Sequence, residues 1–211
     1  MARVRDTAGY DGQREMILAN AAQLFAQRGY AGTSMNEVAA ACGVSKATLY
    51  HYVRDKHDLA VRIAEDHVLR LEAIVTEILR EHAEPEARLR ELIRRFVAES
   101  AIAQNAQRVL TEDVRFLREE DQARILGVER RVVAAFARTI AEVRGEAPDS
   151  LLGKPMAMLL FGMINWMFTW LKADGELDGE AIGAIVSQLY FGGVRAVVRP
   201  GSASLHSRGT K

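Results

Sequence analysis

The chain has 211 residues, 49% of them hydrophobic, with 28 Lys and Arg balanced by 28 Asp and Glu. That length holds one small and one larger domain or one elongated helical body, and zero net charge excludes a protein that coats nucleic acid through a global field. One cysteine excludes an intramolecular disulfide framework, and the polar first fifteen residues read as no signal peptide, which points to the cytoplasm.

Arg3 and Arg5 lie in a polar N-terminal segment that reads either as a disordered terminus or as an arm touching DNA. Ile17, Leu18, Ala21, Ala22, Leu24 and Phe25 then recur with a helical period, and Gly29 closes the segment. Ser34 and Glu37 have the spacing of a capping box, so a second helix is predicted from about Ser34, with Met35, Val38, Ala39 and Cys42 on one face. Cys42 reads as a small packing residue. Gly43 suits the left-handed end of that helix, and Ser45 caps the next, Lys46 to about Val53. In this third helix Leu49 and Val53 face inward, leaving Lys46, Thr48, Tyr50 and His51 outside. Two short helices joined by a tight turn over residues 33 to 59 are the geometry by which many proteins place a helix in a DNA groove. Lys46, Thr48, Tyr50, His51 and Lys56 are the expected contacts, with Thr48 or His51 for base edges. Residues 1 to 56 hold seven Lys and Arg against five Asp and Glu, so affinity must come from geometry and avidity rather than bulk charge.

The series Ala21-Ala22-x-Leu24-Phe25-x-x-x-Gly29-Tyr30, Thr33-Ser34-Met35-x-Glu37-Val38-Ala39, Gly43-Val44-Ser45-x-x-Thr48-Leu49-Tyr50-x-Tyr52 and Lys56-x-x-Leu59 resembles the DNA-binding domain of TetR-type transcriptional regulators. The match covers about residues 14 to 59. Val53 and Ala47 depart from the family, which usually carries Phe and often Gly there. The resemblance implies phosphate contacts at Tyr50 and Lys56, and at Thr33 or Ser34 beside a helix start.

Downstream the pattern stays helical. Asp55 caps a link helix of some 25 residues that contains Leu59, Ile63, Leu71, Ile74, Ile78 and Leu79, and Pro85 opens a helix with Leu89, Leu92, Ile93, Phe96 and Val97 on one face. Further helices are predicted at about 106 to 118 and 121 to 144, a loop from Gly145 to Pro155, and a disordered tail from Pro200. The run Met156 to Leu171 is apolar on all sides but short of the ~20 residues needed to cross a bilayer. A helix of this kind must be covered on all sides, most economically by a second copy of the chain. The final helix, about 179 to 198, would complete a four-helix homodimer interface, with Trp170, Ile182, Ile185, Leu189 and Gly193 at the contact. The resemblance implies the same arrangement, with both reading helices one DNA turn apart on a palindrome.

The phrase Phe161-Gly162-Met163-Ile164-Asn165-Trp166-Met167-Phe168-Thr169-Trp170, followed by Gly175, resembles a subgroup of these regulators that senses acyl-coenzyme A thioesters. It implies an apolar tunnel built from Phe96, Phe116, Met158, Phe161, Gly162 and Trp166. Asn165 and Thr169 would orient the thioester, and Arg94, Arg95, Arg108 and Arg115 would meet the phosphates. Phenylacetyl is the first acyl group expected and a medium or long fatty acyl the second.

No phosphate-binding or hydrolase motif occurs, and the five histidines form no HxxxH pair and have no Glu three residues before them. An enzyme is not expected, nor a metal or cofactor. The sequence therefore predicts an all-α fold of about nine helices: residues 1–56 an arm and DNA-binding domain, 57–199 an effector-binding and dimerisation domain, 200–211 a tail. It predicts a ligand-released repressor on double-stranded DNA, with no membrane partner. The alternatives are a helical ligand-binding protein without DNA-binding activity, or a repressor of a hydrophobic drug rather than a coenzyme A ester.

Overall fold

A computed structural model describes residues 2–171 and 176–195, with the backbone alone for residues 2–8 and 168. Among the described residues it contains nine α-helices and no strand: α1 (Ala2–Gly32), α2 (Met35–Ala41), α3 (Lys46–Tyr52), α4 (Lys56–Glu81), α5 (Pro85–Ile102), α6 (Gln104–Arg108), α7 (Glu119–Val143), α8 (Gly153–Asn165) and α9 (Gly179–Val194). None is long and apolar enough to cross a membrane. Gly175 and the tail from Pro200 lie outside the described residues.

The N-terminal punctuation follows the sequence. Gly29 leaves helical geometry at φ 75° inside α1. Ser34 and Glu37 form the reciprocal capping box that starts α2, and Gly43 takes φ 64° in the turn after it. Ser45 and Asp55 accept backbone N–H bonds at the starts of α3 and α4. At the N-terminus, α1 begins at Ala2, so helix replaces the expected disordered terminus.

Two apolar cores meet along α4. The first joins Ile17, Phe25, Val38, Leu49 and Val53 to Leu59, Ile63 and Val68 of α4, and also to Val109, Leu110, Val114 and Ile125. The second joins Leu71, Ile74 and Ile78 of α4 to α5, α7, α8 and α9 around Phe96, Phe136 and Phe161, whose rings lie 4.8 to 5.9 Å apart.

Two expected helices are interrupted. The predicted helix over 106 to 118 is α6, then a π-helical turn Val109–Asp113 and a 3-10 turn Val114–Phe116. Through these turns Val109, Leu110, Asp113 and Val114 are all buried. The apolar helix ends at Asn165 rather than Leu171, because Thr169 directs both its N–H and its hydroxyl to the Trp166 carbonyl in a 3-10 turn.

α7 and α8 approach closely at Gly153, where an added Cβ would sit 2.8 Å from the Ala137 carbonyl oxygen, whereas nothing lies within 4 Å of one at Gly162. Gly153→Ala should lower stability by about 1–3 kcal/mol in urea denaturation at fixed protein concentration, and Gly162→Ala should not lower it.

Candidate functional site

The outer surface of α3 is set by its buried side. Leu49 and Val53 lock the helix into the first core, leaving Lys46, Ala47, Tyr50 and His51 exposed in two i,i+4 pairs. Tyr50 is 45% exposed. Thr48 is half-buried, and its hydroxyl lies 2.8 Å from that of Ser45. Lys46, Tyr50 and His51 thus stand together on the face a groove would meet.

Three expected DNA contacts have other partners. Thr33 is 2% exposed, and its hydroxyl donates to the Gly29 carbonyl at 3.0 Å, so its side chain is an internal tie and not a phosphate contact. Ser34 is exposed but already bonded to Glu37, whose carboxyl is held below the usual range by the Ser34 hydroxyl and amide and by Arg28. Lys56 donates to the Tyr30 carbonyl at 2.9 Å, with its ammonium 4.5 Å from the Tyr30 ring centroid.

That lysine belongs to a joint between the first three helices and the body. Tyr30 stacks on Phe116 at 6.1 Å; His57 Nε2 lies 2.8 Å from Asp121; Arg124 spans to Glu65 at 2.7 Å. Phe116 is therefore part of this joint rather than of an effector tunnel.

In the body, α4, the α6 region, α7 and α8 line a partly open cavity of about 50 Å³. Of the expected effector residues, Met158, Phe161 and Asn165 line it. Phe96 is packed into the aromatic core behind it. Gly162, Trp166 and Thr169 face outward, Trp166 being 64% exposed. Arg94 is paired with Glu91, Arg95 with Glu77 and Arg108 with Glu112, while the Arg115 guanidinium lies 4.8 Å from the centroid of the Phe116 ring. None of these four arginines lines the cavity. Two polar wall residues are absent from the sequence-based set: Gln107 and Glu129. Glu129 follows the helical period of Ile125, Val132 and Phe136, and reading that inward face for a charged intruder would have found it. Burial pushes its carboxyl above the usual range.

Gln107 is bonded at both ends. Its amide oxygen lies 2.8 Å from His67 Nε2 and its amide nitrogen donates to the Thr111 hydroxyl at 3.2 Å. His67 also faces an open groove of about 820 Å³ between α1, α4 and α6, bordered by Arg14, Arg70 and Asn105. Its Nδ1 has no hydrogen bond and lies 3.9 Å from Glu99.

The dimer surface expected from the apolar helices is divided. Trp170, Ile185 and Leu189 are exposed, as are Leu159 (71%), Met158 and Leu151, which the sequence-based set omits. Gly193 is half-buried. Ile182, at 6% exposure, points into its own chain's second core, so it is packing and not interface.

Burial depresses the pKa of His67 below its ordinary 6.5. The unfolded chain therefore takes up this proton first as pH falls; the stability is full above about 6.5 and is lost on descending toward the folded-state value. Urea midpoints should drop from pH 7.5 to 5.5, and His67→Gln should flatten that slope.

Residues 17–63 match the profile described as bacterial regulatory proteins, tetR family, and residues 82–194 match the tetracyclin repressor-like C-terminal domain. The chain is 28% identical over 207 residues to the HTH-type transcriptional regulator AcrR of Shigella flexneri, covering 84% of this chain and 89% of that one. A TetR-family regulator from Bordetella parapertussis superposes with a TM-score of 0.80 at 29% identity, over 88% of this chain and 97% of the other. AibR, solved in complex with isovaleryl coenzyme A and operator DNA, superposes with a TM-score of 0.72 at 28% identity, over 84% and 97%. With both its N-terminal helices and more than half its length matched, the chain belongs to the TetR family of transcriptional regulators.

Proposed function

We propose that this protein is a cytoplasmic, homodimeric repressor that holds a palindromic operator and is released by an acyl-coenzyme A, with no enzymatic step. The observation that carries the reading is α4, which connects the exposed α3 face to the wall of the partly open cavity in one unbroken helix. AibR, which binds both a short acyl thioester and DNA according to its structure, supports the effector class.

The DNA contacts are Lys46, Tyr50 and His51, with Thr48 and Ser34 at the margins of that face. The cavity holds the acyl group through Met158, Phe161 and Asn165. Its 50 Å³ is about a third of the ~150 Å³ that accommodates benzene. Phenylacetyl or a long fatty chain requires the side chains to open, and a short branched acyl group fits with less movement. The coenzyme portion takes the groove between α1 and α4, where Arg14 and Arg70 exchange their partners Asp66 and Glu99 for the phosphates. Filling that groove separates the α1 side from the body, and the link helix then carries α3 away from groove spacing. This is a population shift: DNA favours one arrangement and effector the other.

Two copies meet through Leu159, Trp166, Trp170, Ile185 and Leu189. Leu189→Asp should give monomers in sedimentation velocity and weaken operator binding by roughly 100-fold or more through lost avidity; a dimer unaffected by this change and by Trp170→Glu would overturn the interface.

Anisotropy with the promoter of the protein's own operon should show salt-sensitive, sequence-dependent binding. Tyr50→Ala should weaken it, and Lys46→Ala should reduce the log K against log salt slope by about 0.9 per lost phosphate contact. A panel from isovaleryl- to phenylacetyl- and lauroyl-CoA should release the DNA with at least one member. Release by hydrophobic amines and by no thioester would instead favour a drug-sensing repressor.

A further inference from the structure

Among the described residues, Glu129 is the one ionisable residue in the wall of the cavity between α4, α7 and α8. Neighbouring carboxylates between α4 and α7 are each met by a guanidinium: Glu65 by Arg124 at 2.7 Å and Glu72 by Arg131 at 2.6 Å. Glu129 lies between those two arginines in sequence, yet it makes no ion pair or hydrogen bond among the described residues. Glu129 is half-buried beside Val68, Leu71, Val132 and Phe161, and this burial raises its pKa against the opposing charge of Arg130. A carboxyl in such a place has lost part of its hydration, which a hydroxyl on a bound ligand can replace.

The other polar wall residues differ in what they have left to offer. Gln107 has both ends of its amide engaged, by His67 and Thr111. Asn165, at the end of α8, has no side-chain hydrogen bond among the described residues. The cavity thus presents one free carboxyl and one free carboxamide in an otherwise apolar wall. A carboxyl oxygen accepts from an O–H, and a carboxamide N–H donates to a carbonyl. An unsubstituted hydrocarbon chain would meet Asn165 through its thioester carbonyl and leave Glu129 unpaired.

We infer that the cavity selects a short hydroxyacyl thioester, whose hydroxyl donates to the Glu129 carboxyl while Asn165 donates to the thioester carbonyl. The inference rests on the thioester reading above and specifies the acyl group. Glu129 is then a specificity-determining residue: a site built to bond a hydroxyl rejects the analogue lacking it because its own polar group is left unpaired. The small volume restricts the chain to a few carbons beyond the thioester.

The matched probes are 3-hydroxybutyryl-CoA and butyryl-CoA, which share a chain length and coenzyme. Calorimetry on the full chain should give about tenfold tighter binding of the hydroxy ester, the size of one net hydrogen bond. Glu129→Leu should remove or reverse that preference by improving butyryl-CoA and weakening its partner, while Glu129→Gln, which keeps an acceptor oxygen, should retain part of it. Circular dichroism and urea denaturation of both variants, measured without effector, should show the parent's helix content and a single cooperative transition, and so report intact folding. Equal affinities for the two esters, tighter binding of butyryl-CoA by the parent, or an undiminished preference in Glu129→Leu would overturn the hydroxyl selection while leaving the thioester reading standing. Binding of neither ester, nor of any thioester in the wider panel, would overturn both.

Discussion

Everything in this molecule is referred to one 26-residue helix that two cores share. α4 places Leu59, Ile63 and Val68 in the core that holds the DNA-reading helices, then Leu71, Ile74 and Ile78 in the core of the body. An α-helix is stiff along its axis and spans about 1.5 Å per residue, so the two groups of side chains cannot move independently. A change in the body that tilts the second group must either strain the first core or carry it along. Close packing makes the latter cheaper, since neither core has slack to absorb the shift.

The joint around this helix is mixed in character. Its apolar part is continuous with the first core, through Val109, Leu110 and Val114 of the irregular turns after α6. Its polar part consists of separate links: Lys56 to Tyr30, His57 to Asp121, Arg124 to Glu65 and Arg14 to Asp66. Apolar contacts tolerate sliding because they are non-directional, whereas hydrogen bonds fix angle and distance. The combination suits an element that has two arrangements rather than a continuum. The π-helical turn, with Gln107 and Thr111 bonded across its entrance, lies where the cavity wall and this joint coincide.

The sequence made the DNA-reading half legible because its information is local. Ser34 with Glu37, Gly43, Ser45 and Asp55 each act within four residues of themselves, and each does in the structure what its spacing implies. The body was legible as helices and as a core, through Leu89, Leu92, Ile93, Phe96 and Val97, for the same reason. What local pattern could not reveal was partnership across the fold. Thr33 and Lys56 have the chemistry of phosphate contacts but bond to backbone carbonyls of α1. Four arginines taken as phosphate ligands are engaged by carboxylates or a ring near them in sequence or on α4. Ile182 and Ile185 are indistinguishable in a stripe, and only the placement of α5 against α9 decides that the first is core and the second is surface. The interruptions after Arg108 and Asn165 escaped for a related reason: a π turn and a threonine-closed 3-10 turn have no residue signature as strong as glycine or proline.

The internal pairing of basic residues has a consequence for how such a protein finds its site. Arg14, Arg28, Arg54 and Lys56 already have partners within the chain, and among the described residues Lys46 is the cation of α3 with no ion pair. Sliding along a genome depends on many diffuse contacts to phosphate that hold the protein near DNA without regard to sequence. A subunit with so few charges to spare dissociates soon after each chance encounter, and travels between sites mainly by diffusion through the surrounding solution. Its time on DNA is then governed by fit more than by charge, and the few phosphate contacts that remain carry its dependence on the ionic conditions of the cell.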